Sequence, residues 1–163
     1  MLKLRPNRPD DDPFLYELYA STRMEEISMW GWDGQTAQAF LRMQWTAQMH
    51  SYSMQYPDLH HRMVLADETL AGRILTSSRE DELVLVDISL LPSFRGRGIG
   101  GELIERLQEE AAESGRFIKL HVLKENASAI RLYERLGFAT VADQGMHWEM
   151  RWQDRKEPAP KAR

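Results

Sequence analysis

The feature that most constrains the fold is a long apolar run that ends in a segment rich in glycine and arginine. Residues 82–91, "ELVLVDISLL", are nearly all apolar, which is typical of a strand in the buried middle of a sheet. "PSFRGRGIGG" follows, and apolar residues at helical spacing then predict a helix from about Ile99 to a stop at Gly115. This strand–turn–helix unit predicts a domain that mixes strands with helices.

Periodicity and turn residues predict the other elements on both sides of this unit. They are a strand at Leu2–Pro6, a helix from Asp12 with that residue as its cap, a helix from about Thr36 to Tyr52, a hairpin centred on Asp67–Thr69, a strand at Phe117–Val122, a helix capped by Asn126 and ended by Gly137, and a closing hairpin. The predicted class is α/β or α+β with a mixed central sheet. We expect one domain over residues 1–152, followed by a charged tail over 153–163.

Composition narrows the function. The 163 residues carry a formal net charge of −4 and no cysteine. The absence of cysteine removes disulfides, thiolate nucleophiles and Cys-based zinc sites, and a reducing cytoplasm is the expected location. The acidic balance argues against nucleic acid as a partner. No apolar run approaches a membrane span, and no basic-then-apolar leader opens the chain, so we expect no membrane association.

The glycine run predicts an anion site. Gly96, Gly98 and Gly101 fit the outline of a dinucleotide fingerprint, but "PSFR" separates them from the strand, and too little chain follows for a doubly wound sheet. A phosphate loop of the Walker type is absent. Glycines nevertheless allow main-chain amides to approach a phosphate, and a helix N-terminus adds partial positive charge. With Arg95 and Arg97 beside them, a pyrophosphate is the predicted ligand.

A second segment points to a family. "NASAIRLYERLGF", residues 126–138, together with "RGRGIG" after a "LLP" strand, resembles the GNAT superfamily of acyl-CoA-dependent N-acyltransferases. In that family R/Q-x-x-G-x-G/A binds the pyrophosphate of coenzyme A, and Arg95, Gly98 and Gly100 occupy those positions here. The resemblance implies a mostly antiparallel sheet of about seven strands with about four helices. It also implies a V-shaped splay between the two central strands, which holds the pantetheine arm.

The resemblance also implies roles for individual residues. The amide of Leu90 would face the acetyl carbonyl, and Tyr133 would stand near the sulfur as general acid. Asn126 would contact the pantetheine region, although helix capping alone would also explain it, and Tyr133 could instead be a core aromatic. The full set expected to bind acetyl-CoA is Leu90, Leu91, Arg95, Gly96, Arg97, Gly98, Ile99, Gly100, Gly101, Asn126 and Tyr133.

The sequence leaves the identity of the general base open. Alternation places Val84, Val86 and Ile88 on one face of the central strand, and all are apolar. Asp87 is the ionisable residue inside this strand and is the candidate base, although it points to the other face unless a bulge rotates it. His121 on the partner strand, Glu25 or Glu26, and a water relay are the alternatives.

The acceptor is predicted only as a class. Trp30 and Trp32 in the loop between the first two helices, with Gln44 on the second helix, are the candidate substrate residues. They favour a small amine that carries an apolar or aromatic part; a protein amine and a homodimer are open alternatives. No metal is expected, since His60 and His61 are adjacent and face opposite ways on a strand. A coenzyme A sensor without catalysis is the alternative function.

Overall fold

The computed structural model describes residues 1–154, apart from the side chain of Glu25. The helices and strands follow the predicted order, and the tail from residue 155 onward lies outside the described residues. They are β1 (Leu2–Pro6), α1 (Asp12–Ser28), α2 (Gly34–Gln55), β2 (Leu59–Ala66), β3 (Thr69–Ser78), β4 (Glu82–Leu90), α3 (Ile99–Ser114), β5 (Phe117–Leu123), α4 (Ala127–Arg135), β6 (Ala139–Gln144) and β7 (His147–Trp152), with 3₁₀ turns at Pro9–Asp11 and Pro92–Phe94.

The seven strands form one sheet in the order β1-β2-β3-β4-β5-β7-β6. β4 and β5 run parallel, because α3 connects them as a crossover. β1 with β2, β5 with β7 and β6 with β7 are antiparallel. The expectation of a mixed, mostly antiparallel sheet is confirmed.

The parallel ladder between the two central strands is short. It pairs Glu82–Leu85 with Phe117–Leu120, four residues on each strand. β4 continues to Leu90 and β5 to Leu123, so both strands extend past their last mutual pair. The separation of β4 from β5 beyond this ladder stays a prediction.

The described residues form two compact units, the first made of residues 1–75 with 87–97 and the second of 76–86 with 98–154. In the first unit α1 packs on β2 through Leu15, Leu18 and Met63, all at most 3% exposed. A neighbouring cluster joins α1 to α2. In the second unit α3 buries one face against β5. Leu103, Ile104 and Leu107 on that face are at most 3% exposed, which confirms the predicted amphipathic helix.

One boundary differs from the prediction. The N-cap of α1 is Asp11 rather than Asp12. Asp11 is 4% exposed and accepts two hydrogen bonds from Arg5 (2.9 and 2.8 Å) and one from the Arg8 amide (2.7 Å). The hydrogen bonds from Arg5 are the largest effect, and they lower the pKa of Asp11. The helix therefore begins where this buried ion pair fixes the chain.

Candidate active site

The end of β4 is held by three contacts within the first unit. The Leu91 amide donates to Ala71 O at 2.8 Å, and the Leu91 side chain packs against the cluster of Leu15, Leu18 and Met63. β3 approaches very closely, because a Cβ added to Gly72 would lie 2.0 Å from Ser89 O. A side chain is thus excluded at residue 72, and the backbone at residues 89–91 has a defined position.

The two arginines follow a 3₁₀ turn. The Arg95 amide donates to Pro92 O, and its side-chain Nε donates to Leu90 O at 3.0 Å. The Arg97 guanidinium lies over the ring of Phe94, 5.2 Å from its centroid. Both arginines are exposed. They place two positive charges immediately before the glycine turn, and one of them ties the turn back to the end of β4.

The glycine turn leaves a row of main-chain donors without partners. Helical hydrogen bonding in α3 begins with the Glu102 amide, which donates to Gly98 O at 3.0 Å. Within residues 1–154, the six amides of residues 96–101 have no acceptor, and Gly98 provides no side-chain cap. Gly96 and Gly98 are left-handed, with φ of 73° and 80°. A Cβ at either would meet nothing within 4 Å, so the space beside this turn is open.

In the second unit the start of α3 packs against α4. A Cβ added to Gly100 or Gly101 would lie 3.9 Å from the side chain of Leu132, an ordinary van der Waals contact. Tyr133 is the next residue of α4 and is half-buried, with its ring 5.7 Å from that of Phe138. The unit therefore brings the glycine turn next to the helix that carries Tyr133.

Asn126 caps α4. Its Oδ1 accepts from the Ala129 amide at 3.3 Å, and its side chain is exposed. The capping role predicted from the sequence is confirmed. Its contact with pantetheine stays a prediction.

Asp87 belongs to a polar cluster that the sequence did not reveal. Its Oδ2 accepts from Arg73 Nε at 3.2 Å and from Ser89 Oγ at 2.7 Å. Arg73 is 4% exposed and also donates to Gln48 Oε1 at 3.3 Å. Burial, followed by the charge of Asp87, raises the pKa of the nearby Tyr52 to about 12. Asp87 thus neutralises a buried guanidinium, whatever further role it has; its role as base stays a prediction.

The aromatic residues of the α1–α2 loop pack on one another. The Trp30 and Trp32 rings are 5.0 Å apart, and they lie 5.6 and 5.2 Å from the Phe40 ring in edge-to-face geometry. Both indoles are still 43–44% exposed. Gln44 is half-buried on the same helix as Phe40. The loop therefore presents a preassembled aromatic surface, and its contact with an acceptor stays a prediction.

β5 and β7 carry a histidine–carboxylate pair in the second unit. His121 is paired with Glu149 across the two strands, and His121 Nε2 lies 3.7 Å from Glu149 Oε1. The Glu149 carboxylate also accepts from Arg151 Nε at 3.0 Å and from Gln144 Nε2 at 3.4 Å. Burial is the main cause that lowers the pKa of His121. The sequence had left His121 open as an alternative general base. Its partner Glu149 could be identified only from the strand register.

Metal-binding clusters and membrane-spanning helices are both absent from the described residues. In the part of the chain that the structure covers, no three side chains of the metal-binding types come together. No helix there has the length and apolarity needed to cross a bilayer.

Solved structures share this fold. The PaiA N-acetyltransferase of Thermoplasma acidophilum, in complex with coenzyme A, superposes with a TM-score of 0.71 at 18% identity, and the match covers 94% of this chain and 99% of that one. This likeness defines the class of fold, a GNAT-type sheet. The sequence model of the acetyltransferase (GNAT) family matches residues 15–138. The chain belongs to this family.

Curated relatives match over a shorter region. The [ribosomal protein bS18]-alanine N-acetyltransferase of Salmonella typhimurium is 40% identical over 74 residues, which cover 45% of this chain and 50% of the relative. The streptothricin acetyltransferase of Streptomyces lavendulae is 39% identical over 77 residues, which cover 45% of this chain and 41% of the relative. The chain thus spans half or less of the length of these two curated relatives.

Proposed function

We propose that the protein is an N-acetyltransferase that transfers the acetyl group of acetyl-CoA to a primary amine. The observation that carries the proposal is the row of six amides at residues 96–101, which have no acceptor within the described residues. Unpaired donors at a helix N-terminus favour an anion with several oxygens. In a member of the GNAT family the fitting anion is the diphosphate of coenzyme A.

The donor substrate would be held by the residues that the family motif assigns. The amides of Gly98, Ile99, Gly100 and Gly101 would face the diphosphate, and the exposed Arg95 and Arg97 would add positive charge. The left-handed Gly96 and Gly98 fit this role, because both leave open space where a diphosphate could lie against the main chain.

The remaining donor contacts would come from four other residues. Leu90 and Leu91, at the end of β4, would meet the acetyl end, with the Leu90 amide directed at the carbonyl oxygen. Asn126 would contact the pantetheine arm. Tyr133 would face the sulfur. These roles rest on the family pattern, supported by the fixed backbone at residues 89–91 and by the contact of α3 with α4.

The proposed reaction is direct attack of the amine on the thioester carbon. An alkylammonium with a pKa near 10 is only about one part in a thousand neutral at pH 7, a cost of roughly 4 kcal/mol, so a base has to take its proton. The C–N bond then forms, and a fixed amide donor stabilises the oxyanion by roughly 3 kcal/mol. As the C–S bond breaks, Tyr133 would protonate the departing thiolate.

The acceptor is proposed as a chemical class rather than as a particular compound. One relative is named for an alanine of a ribosomal protein and another for streptothricin, so relatives act on both a protein and a small molecule. We favour a small amine with an apolar or aromatic part, because Trp30 and Trp32 form an exposed aromatic surface and Gln44 lies on the adjoining helix. A cytoplasmic location and a homodimer stay predictions, to be tested by cell fractionation and by sedimentation.

Release of the coenzyme A thiol tests the proposal. The purified protein is mixed with acetyl-CoA and one of three amines: an alanine-initial peptide, streptothricin or spermidine. Thiol release above the amine-free rate with at least one of them is expected. Binding of acetyl-CoA without turnover of any amine would instead favour a coenzyme A sensor, and absence of both would refute the diphosphate site.

A paired substitution tests the acid. Tyr133→Phe should lower kcat by about 100-fold and leave acetyl-CoA affinity nearly unchanged, because only the hydroxyl that protonates the thiolate is lost. Tyr16→Phe is the matched control, since this hydroxyl on α1 bonds to Gln38 on α2. If Tyr133→Phe weakens acetyl-CoA binding while kcat at saturation is unchanged, Tyr133 is a packing residue.

A further inference from the structure

β5 carries a histidine directly after its last residue paired with β4. The ladder ends at Leu120, and His121 is the next residue. Its neighbours Leu120 and Val122 are buried, whereas the His121 side chain is 36% exposed on the opposite face. Alternation along the strand therefore directs this imidazole away from the α3 side, and a ligand can reach it.

His121 differs from the other ionisable residues of the two central strands. β4 and β5 contain four such side chains. Glu82 is 8% exposed and forms ion pairs with Lys119 at 3.3 Å and Arg79 at 3.2 Å. Asp87 is paired with the buried Arg73. His121 is thus the most exposed of the four, at 36% against 25% for Asp87 and 20% for Lys119, and its side chain is the one of them whose ordinary pKa lies near neutrality.

A buried carboxylate lies beside the ring. Glu149 is 9% exposed, and its Oε1 lies 3.7 Å from His121 Nε2, while Arg151 holds its other oxygen at 3.0 Å. Nε2 is therefore the ring nitrogen that faces the carboxylate, and Nδ1 has no hydrogen-bond partner among the described residues. A carboxylate in this position favours the tautomer with the proton on Nε2 and stabilises the imidazolium that forms when Nδ1 gains a proton.

Burial and two neighbouring cations lower the pKa of His121, which favours the neutral ring near pH 7. Burial is the first cause of the lowered pKa of His121, and Lys119 and His147 act in the same direction. Glu149 opposes them and raises that pKa. These groups lie on β5 itself and on β7, the strand that pairs with it at this position. A neutral imidazole that can form a stabilised cation meets the requirement for a general base.

We propose that His121 is the general base of the reaction and that Glu149 orients it. Nδ1 takes a proton from the acceptor ammonium before the neutral amine attacks the thioester, Nε2–H faces Glu149, and the imidazolium later releases its proton to water. The inference rests on the proposed N-acetyltransferase function. It assigns the base to β5 rather than to Asp87 on β4.

His121→Gln tests this assignment, with His60→Gln as matched control, since His60 is an exposed histidine of β2 that is not among the groups shifting the pKa of His121. Each variant is assayed by thiol release, after subtraction of the enzyme-free rate, with spermidine, whose amines are protonated at pH 7, and with hydroxylamine, which is already neutral. His121→Gln should lower kcat at least 100-fold with spermidine and only a few-fold with hydroxylamine. His60→Gln should keep both rates within about threefold.

The pH profile tests the role of Glu149. In the wild type kcat/KM should fall as the pH drops through the pKa of His121, and this acidic limb should vanish in His121→Gln. Glu149→Gln removes the carboxylate that raises this pKa, so its acidic limb should move to lower pH while kcat decreases. A purely structural role of either residue would lower the rate without moving the limb.

Three outcomes would overturn the assignment of the base without affecting the proposed N-acetyltransferase function. The first is a kcat of His121→Gln with spermidine equal to that of the wild type. The second is an equal loss of kcat with both amines, and the third is an unchanged acidic limb in the pH profile of that variant. If the wild type binds acetyl-CoA but no amine releases the thiol, the proposed function fails, and the base fails with it. Acetyl-CoA affinity, measured separately for each variant, should be unchanged, and this separates loss of the base from misfolding.

Discussion

Two glycines at opposite ends of α3 allow a controlled test of the diphosphate site. Gly98 precedes the helix with φ of 80°, and Gly115 ends it with φ of 69°, so both are left-handed. A Cβ at either would meet nothing within 4 Å. Substitution by alanine therefore imposes the same backbone strain at both ends, without a steric clash at either.

The expected cost to the free protein is the same for both variants. A side chain in the left-handed region costs about 1–2 kcal/mol. Replacing glycine by alanine also reduces the conformational entropy of the unfolded chain, which stabilises the folded protein by about 0.4–1 kcal/mol. Gly98→Ala and Gly115→Ala should each lower the free energy of unfolding by about 1 kcal/mol, measured by urea denaturation without ligand.

Coenzyme A separates the two variants. At 100 times its Kd it should add about 2.7 kcal/mol to the wild type and to Gly115→Ala. Gly98→Ala distorts the turn whose amides would bind the diphosphate, and its methyl group enters the open space beside them. A tenfold rise in Kd would reduce the added stability at the same coenzyme A concentration to about 1.4 kcal/mol. The full 2.7 kcal/mol in Gly98→Ala would refute the reasoning.

Two further predictions concern stability. Gly72→Ala should lower the free energy of unfolding by about 3 kcal/mol or more, because its Cβ would lie 2.0 Å from the backbone oxygen of Ser89. Gly34→Ala is the control, since a Cβ at residue 34 would have nothing within 4 Å. Its free energy of unfolding, measured by urea denaturation, should stay within about 0.5 kcal/mol of wild type. Burial, with a smaller contribution from the charge of Arg73, lowers the pKa of His61 from 6.5 to about 4. As the pH falls, His61 therefore gains its proton in the unfolded chain before it does so in the folded protein. The wild type should therefore lose stability from pH 6.5 to 4 more steeply than His61→Gln, and an equal slope would contradict the lowered pKa.

The features that the sequence predicted best are those encoded locally. The turn at Gly96 and Gly98 follows from the residue type that tolerates positive φ, and the end of α3 at Gly115 follows from the same property. The apolar stripe of α3 needs only its own periodicity. For such elements the residues and their neighbours along the chain contain the whole physical argument.

The features that the sequence missed depend on side-chain contacts between different elements of the fold. Asp11 replaces Asp12 as the cap of α1 because its carboxylate meets Arg5 on β1. Asp87 was considered as a base without Arg73, whose side chain reaches it from β3 at 3.2 Å. Strand pairing determines such partners, and the alternation of a single strand does not reveal them.

The same dependence on register applies to the proposed base. His121 faces Glu149 because β5 and β7 pair these two residues directly, with His147 two positions further along. A shift of β7 by one residue would turn Glu149 to the α3 side, where its unpaired charge would be buried. β7 is paired on both sides, and the register shift in its ladder with β6, between Thr140 and Ala142, leaves the pairs with β5 intact. The pairing that completes the sheet therefore also determines which carboxylate the imidazole meets, and with it the pH at which this ring can act as a base.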